Sequence, residues 1–158
     1  MNLTDNKNLK EKIIIFITTG GFVGKIPFAP GTFGTLAGIP FVFFLNWLNA
    51  DYKVFGVIFL IIFSIWICDK AEKILKQKDP GCIVIDEIAG FVVAMAGIPI
   101  TFLNLILGFF IFRFFDILKP PPIRNFEKKF NNGAGVVLDD IVAGLFTFVV
   151  LKIILMVL

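Results

Sequence analysis

The sequence contains no histidine, one serine (Ser64), one tyrosine (Tyr52) and two cysteines (Cys68 and Cys82). Without histidine, proton transfer falls to carboxylates, lysine, tyrosine or water. A Ser-His-Asp mechanism and a histidine-nucleophile phosphatase are both excluded. Ser64 itself lies inside an apolar run. The two cysteines form no zinc-type cluster and imply no disulfide framework. Neither opens a Cys-x5-Arg loop, which removes a thiolate phosphatase, and both read as packing residues. Charge is also scarce, at 17% of residues against roughly 25% in an average globular chain.

What fills the space is apolar. Hydrophobic residues make up 58% of the 158, Phe contributes 21, and the mean hydropathy is +0.92. A soluble domain of this length cannot hide so much apolar surface, and a disordered chain would not carry it. The length allows a single domain over residues 1–158. The expected class is an all-α, polytopic membrane bundle. Met1–Lys12 is polar and lacks a charged segment followed by an apolar run and a cleavage site, so no removable signal peptide is expected.

Five apolar stretches are candidates for about four to five short transmembrane helices: Leu36–Asn49, Val54–Cys68, Ile83–Ile98, Phe102–Ile117 and Val136–Leu158. Most fall at or below the roughly 20 residues that cross a bilayer core, so short or tilted helices are expected. Ile13–Ile17 is too short to span and reads as an interfacial or re-entrant segment. Breakers lie between the stretches: the Gly/Pro loop from Gly24 to Gly34, the turn Asp79-Pro80-Gly81, Pro99, and Lys119-Pro120-Pro121-Pro122, where a proline run cannot continue a helix.

Threading these spans antiparallel leaves only Lys53 and Lys152 on the far side. The other thirteen Lys and Arg gather on the side of the N-terminus, which the positive-inside bias makes cytoplasmic. The same threading brings every acid within a span to that face. Nothing in the charge count required this.

Ionisable residues within spans are costly and point to function. Here they are Asp69, Asp86, Glu87, Arg113, Asp116, Asp139 and Asp140. A single acid at a span entrance stabilises a helix N-terminus or stays solvated. Two adjacent acid pairs, with Arg113 and Asp116 three apart on one helix face, call for a cation among them. Oxygen ligands without His or Cys favour Mg²⁺, with Mn²⁺ as the alternative. Gly90 follows Asp86 by four residues and Gly144 follows Asp140 by four. Small residues so placed let helices approach closely.

The segment Gly24–Thr35 is a second feature. Its glycines let backbone N–H groups approach an anion, and Gly31, Thr32 and Thr35 would sit at a helix N-terminus facing the acids. A plain turn into a helix fits the spacing equally well, and no Walker loop is present. Lys25, Lys70, Lys119, Arg124, Lys128 and Lys129 could hold anionic headgroups. Lys119 and Arg124 belong closest to the site, and Lys128 and Lys129 read as topology and lipid attraction.

Three blocks resemble the phosphatidylglycerophosphatase A family of bacterial membrane lipid phosphatases. The first is Ala29-Pro30-Gly31-Thr32-Phe33-Gly34-Thr35-Leu36. The second is Ile83-Val84-Ile85-Asp86-Glu87-Ile88-Ala89-Gly90. The third begins Phe112-Arg113-Phe114-Phe115-Asp116-Ile117-Leu118-Lys119-Pro120, with Pro122-Ile123-Arg124, and resumes as Gly133 to Gly144 with Asp139-Asp140. In order, they cover about residues 20–150. The resemblance implies hydrolysis of the terminal phosphate of phosphatidylglycerophosphate, Mg²⁺ dependence and the bacterial cytoplasmic membrane.

The expectation is therefore metal-assisted phosphomonoester hydrolysis at the cytoplasmic face. Asp86, Glu87, Asp116, Asp139 and Asp140, with Asp69 the weakest member, are the metal set. Arg113, Lys119, Arg124 and the Gly31–Thr35 segment meet the phosphate, and Asp86 or Glu87 serves as base. The expected partners are the phospholipid substrate and the bilayer, with no nucleic acid and no obligatory protein partner. A membrane ion-binding protein or transporter using the same carboxylates is the rival. A transporter, however, prefers charges at mid-membrane and repeated halves. A CDP-alcohol phosphotransferase lacks its Asp-Gly-x2-Ala-Arg signature here.

Overall fold

The computed structural model describes residues 8–121, 123 and 133–157, and these are helical with no strand among them. The elements are α1 (Leu9–Thr18), a 3-10 turn (Val23–Lys25), α2 (Pro30–Ala37), α3 (Ile39–Asn46), α4 (Ala50–Leu75), α5 (Ile85–Met95), α6 (Phe102–Leu118) and α7 (Gly133–Val157). Arg124, Lys128 and Lys129 lie outside the described residues.

Local sequence explains most of the boundaries. Asn8 and Glu11 form a reciprocal capping box at the start of α1, which satisfies two N–H groups left over at a helix start. Gly20 and Gly21, both at positive φ, end it. Pro30 opens α2, where its missing N–H costs nothing. Thr101 accepts from the N–H of Asn104 at 3.1 Å and caps α6. Lys119, in the left-handed region, closes α6 ahead of Pro120 and Pro121.

The apolar stretch Leu36–Asn49 is not one helix. Pro40 has no N–H to give, and the chain breaks at Gly38 into α2 and α3. The stretch Ile83–Ile98 narrows to α5, because Ala96 turns extended and Gly97 takes positive φ. Val54–Cys68 lies inside the longer α4, and the last stretch begins earlier, at Gly133. Ile13–Ile17 lies within α1. Among the described residues, α4 and α7 are the helices long and apolar enough to cross a membrane.

Helix α5 is the centre of the bundle. All of its residues are buried except Glu87, which is half-buried, and α7, α4, α2, α6 and α3 pack around it. Its closest neighbour is α7. A Cβ on Gly90 would fall 2.6 Å from the Asp140 carbonyl oxygen, and one on Gly144 would overlap the Gly90 carbonyl oxygen. The two backbones therefore touch where only glycine fits.

The ends of the helices sort into two groups. At one end the Lys53 Nζ donates to Asn46 Oδ1 at 3.0 Å, and a small cavity joins Leu45 and Asn46 of α3, Lys53 of α4, Met95 of α5 and Ile100 before α6. At the other end lie the starts of α2, α5 and α7 and the end of α6. This is the alternation that antiparallel threading requires.

Candidate active site

The glycine contact between α5 and α7 determines which acids meet. Asp86 lies one helical turn before Gly90, and Asp140 one turn before Gly144. With the backbones touching at the glycines, the carboxylates one turn back converge. Asp86, Glu87 and Asp140 each offer an oxygen, and these oxygens lie within 4.8 Å of one another. Asp86 and Asp140 are buried. Asp86 Oδ1 and Glu87 Oε2 have no hydrogen-bond partner. A buried, unpartnered carboxylate oxygen is costly, and two of them beside a third acid form a donor set suited to a hard cation.

Four further charges of the site form two pairs. Arg113 donates to Asp116 one turn along α6. Lys119, at the end of α6, pairs with Asp139 on α7. Asp116 and Asp139 thus face cations, while Asp86, Glu87 and Asp140 face one another. The Arg113 Nε is buried without a partner, so one donor of this guanidinium remains unused.

Helix α2 closes the site from one side. A Cβ on Gly31 would overlap Glu87 Oε1 and lie 3.0 and 3.1 Å from the terminal nitrogens of Arg113. The first turn of α2 therefore rests directly on the acid and the guanidinium. Together these groups line one cleft of about 300 Å³, walled by Ala29, Pro30 and Gly31, by Asp86 and Glu87, by Arg113, Asp116 and Lys119, and by Asp139 and Asp140.

Other expected residues stand apart from this cleft. Thr35 is buried, and its hydroxyl donates to the Gly31 carbonyl at 2.9 Å, a bond that helical threonine commonly makes to the preceding turn. Thr32 is half-buried and does not line the cleft. Asp69 pairs with Lys73 at 2.6 Å, one turn along α4. Its backbone abuts Gly133, but its carboxylate is not part of the cleft wall. Arg124 lies outside the described residues.

The cleft also includes residues that the sequence did not single out: Asp79, Gly81, Ile83, Ile117 and Val136. Asp79 was legible only as part of a turn. Ile117 was legible only as the end of an apolar stretch, beside Asp116.

The arrangement combines a clustered acid trio with two fixed cations and a helix start. That combination suits a phosphate group bound against a divalent cation. Comparison with known proteins points to a phosphatase. The family model Phosphatidylglycerophosphatase A matches residues 16–155. A Haemophilus influenzae protein named Phosphatidylglycerophosphatase A is 34% identical, with 94% of each chain covered. An Escherichia coli protein of the same name is 36% identical over 77% of this chain and 71% of its own. A Bacteroides thetaiotaomicron protein whose name proposes it as a phosphatidylinositol-3-phosphatase is 33% identical over 88% of this chain and 91% of its own. No solved structure matches the chain. The chain belongs to the phosphatidylglycerophosphatase A family and is a phosphatase.

Proposed function

We propose that the protein hydrolyses the terminal phosphomonoester of phosphatidylglycerophosphate, releasing phosphatidylglycerol and inorganic phosphate at the cytoplasmic face of the bacterial inner membrane. The observation that carries this reading is the single cleft in which the clustered acids Asp86, Glu87 and Asp140 adjoin Arg113 and Lys119. The cytoplasmic face is supported by the thirteen Lys and Arg that the threading puts on the side of the N-terminus. In this reading α2–α3, α4, α5, α6 and α7 make up five crossings, and α1 lies at the interface.

Asp86, Glu87 and Asp140 would hold Mg²⁺, which supplies Lewis acidity toward a phosphoryl oxygen. The protein's own groups do the rest. Arg113 uses its free Nε, and Lys119 its ammonium, to bind the phosphoryl oxygens as charge develops on them. Asp116 and Asp139 hold those two cations in place. The first turn of α2 adds backbone dipole to the same end. A carboxylate oxygen of Asp86 or Glu87 accepts the proton of the attacking water. The phosphorus–oxygen bond to glycerol breaks, and the glycerol oxygen leaves with the proton that this carboxylate took from the water.

The test is phosphate release from phosphatidylglycerophosphate by the detergent-purified protein, with Mg²⁺ and with EDTA. Release that needs Mg²⁺, and that Asp86→Asn and Asp140→Asn each reduce at least a hundredfold, supports the reading. No release in matched lipid and detergent overturns it. Phosphatidylinositol 3-phosphate belongs in the same assay because of the Bacteroides relative. Faster turnover of that lipid would move the substrate while leaving the chemistry intact.

A further inference from the structure

The cleft has two rims of opposite character. On one rim stand Asp79 and Gly81, both exposed, in the turn after α4. The Asp79 N–H donates to Glu72 Oε1 at 2.8 Å, which ties this turn to the water-facing end of α4. On the other rim stands Ile117, which lines the cleft and is nonetheless 66% exposed. A side chain that is both cleft wall and outer surface marks an opening, and this one is apolar.

The opening continues along α6. Phe114 is 57% exposed and Phe110 is 66% exposed. Positions 110, 114 and 117 are spaced four and three apart, so they fall on one face of the helix. An apolar track about 10 Å long, at 1.5 Å per residue, thus runs from the cleft rim toward the middle of α6. Across the cleft, Arg113 and Asp116 lie on the same helix but point inward, Asp116 buried and Arg113 half-buried.

We infer that the substrate enters sideways from the bilayer between α2 and α6, with its acyl chains passing over Ile117 and lying along Phe114 and Phe110. This rests on the lipid-phosphatase reading above and names where the lipid portion binds. The exposed turn at Asp79–Gly81 is then the aqueous mouth, through which water enters and inorganic phosphate leaves. Rim contacts to the acyl chains are the same before and during reaction at phosphorus. They therefore act on KM and leave kcat alone.

The test uses dioleoyl phosphatidylglycerophosphate in mixed micelles and compares wild type with Ile117→Asn, Phe114→Ala and Ile62→Asn. Ile62 is a surface control, 62% exposed on α4 and absent from the cleft wall. The inference expects Ile117→Asn to raise KM about tenfold and Phe114→Ala about threefold, with kcat within twofold of wild type, and Ile62→Asn to change neither. Phe114→Ala keeps the test decisive should Ile117→Asn fail to fold. A fall in kcat at unchanged KM, or an equal effect of Ile62→Asn, overturns the portal while the wild-type activity upholds the function. A wild-type protein that releases no phosphate overturns the function, and the portal with it.

Discussion

Among the site residues, the five acids of the cleft carried by α5, α6 and α7 divide by partner. Asp139 is 2% exposed at its side chain and faces Lys119, whereas Asp86 Oδ1 and Glu87 Oε2 face no donor. The two groups should respond oppositely to substitution. Removing one partner of a buried pair strands the other. Asp139→Ala should therefore destabilise the protein more than Asp139→Ala/Lys119→Met, with a coupling of about 0.5–3 kcal/mol in a double-mutant cycle. Thermal unfolding in detergent checks this. Asp86→Asn removes a buried carboxylate whose Oδ1 has no donor. In EDTA it should unfold at the same temperature as wild type or higher, even though its activity should be lost. Added Mg²⁺ should raise the unfolding temperature of wild type and leave that of Asp86→Asn unmoved, because only a folded state that binds the ion gains from it. An equal shift in both would remove Asp86 from the ion-binding set. The sequence made the acids visible, because charges in apolar runs stand out. It set Arg113 beside Asp116 on one helix face but did not show that Lys119 pairs with Asp139, since that depends on the side-chain geometry between α6 and α7. Thr35 misled for a local reason: its hydroxyl is within reach of its own helix backbone.

For the helices, the decisive contact is Gly90 against Gly144. Here the sequence was informative, because each glycine stands four residues after an acid and so marks both the crossing and the turn that faces the site. A Cβ at Gly144 meets a backbone carbonyl, which cannot swing aside as a side chain can. Gly144→Ala should cost about 1–3 kcal/mol through overpacking. It should also reduce phosphate release more than its loss of stability explains, because it pushes Asp140 away from Asp86. Thermal unfolding and activity measured on the same preparation separate the two effects. The break at Gly38 was harder to read. The run from Leu36 to Leu45 carries no polar side chain, and hydropathy does not register a missing N–H at Pro40. The short α5 was likewise hidden, since Ile83, Val84 and Ile98 are as apolar as the helix they flank.

For the whole molecule, two sets of helix ends define two faces, with Asp79 near the cleft and Lys53 at the opposite end. This arrangement predicts the labelling pattern of single cysteines. In a background with Cys82 replaced by Ser, Asp79→Cys should react with a membrane-impermeant maleimide only after cells are opened to the cytoplasmic side, and Asn49→Cys in intact cells with a permeable outer envelope. The reverse pattern would invert the proposed orientation. The alternation itself was readable from the breakers and the positions of the lysines.

The lengths of the lipid-facing helices differ. At 1.5 Å per residue, the 26 residues of α4 extend about 39 Å and the 17 of α6 about 25 Å, against a hydrocarbon core of about 30 Å. If α6 crosses as proposed, a bilayer that matches it must thin beside it. That thinning would fall on the flank where Ile117 opens the cleft and would lower the headgroup plane toward Arg113 and Lys119. The lipid around the enzyme is then itself a determinant of rate. Turnover in vesicles should be faster in 14-carbon than in 22-carbon phosphatidylcholine, and a flat dependence on chain length would show that α6 does not deform its surroundings.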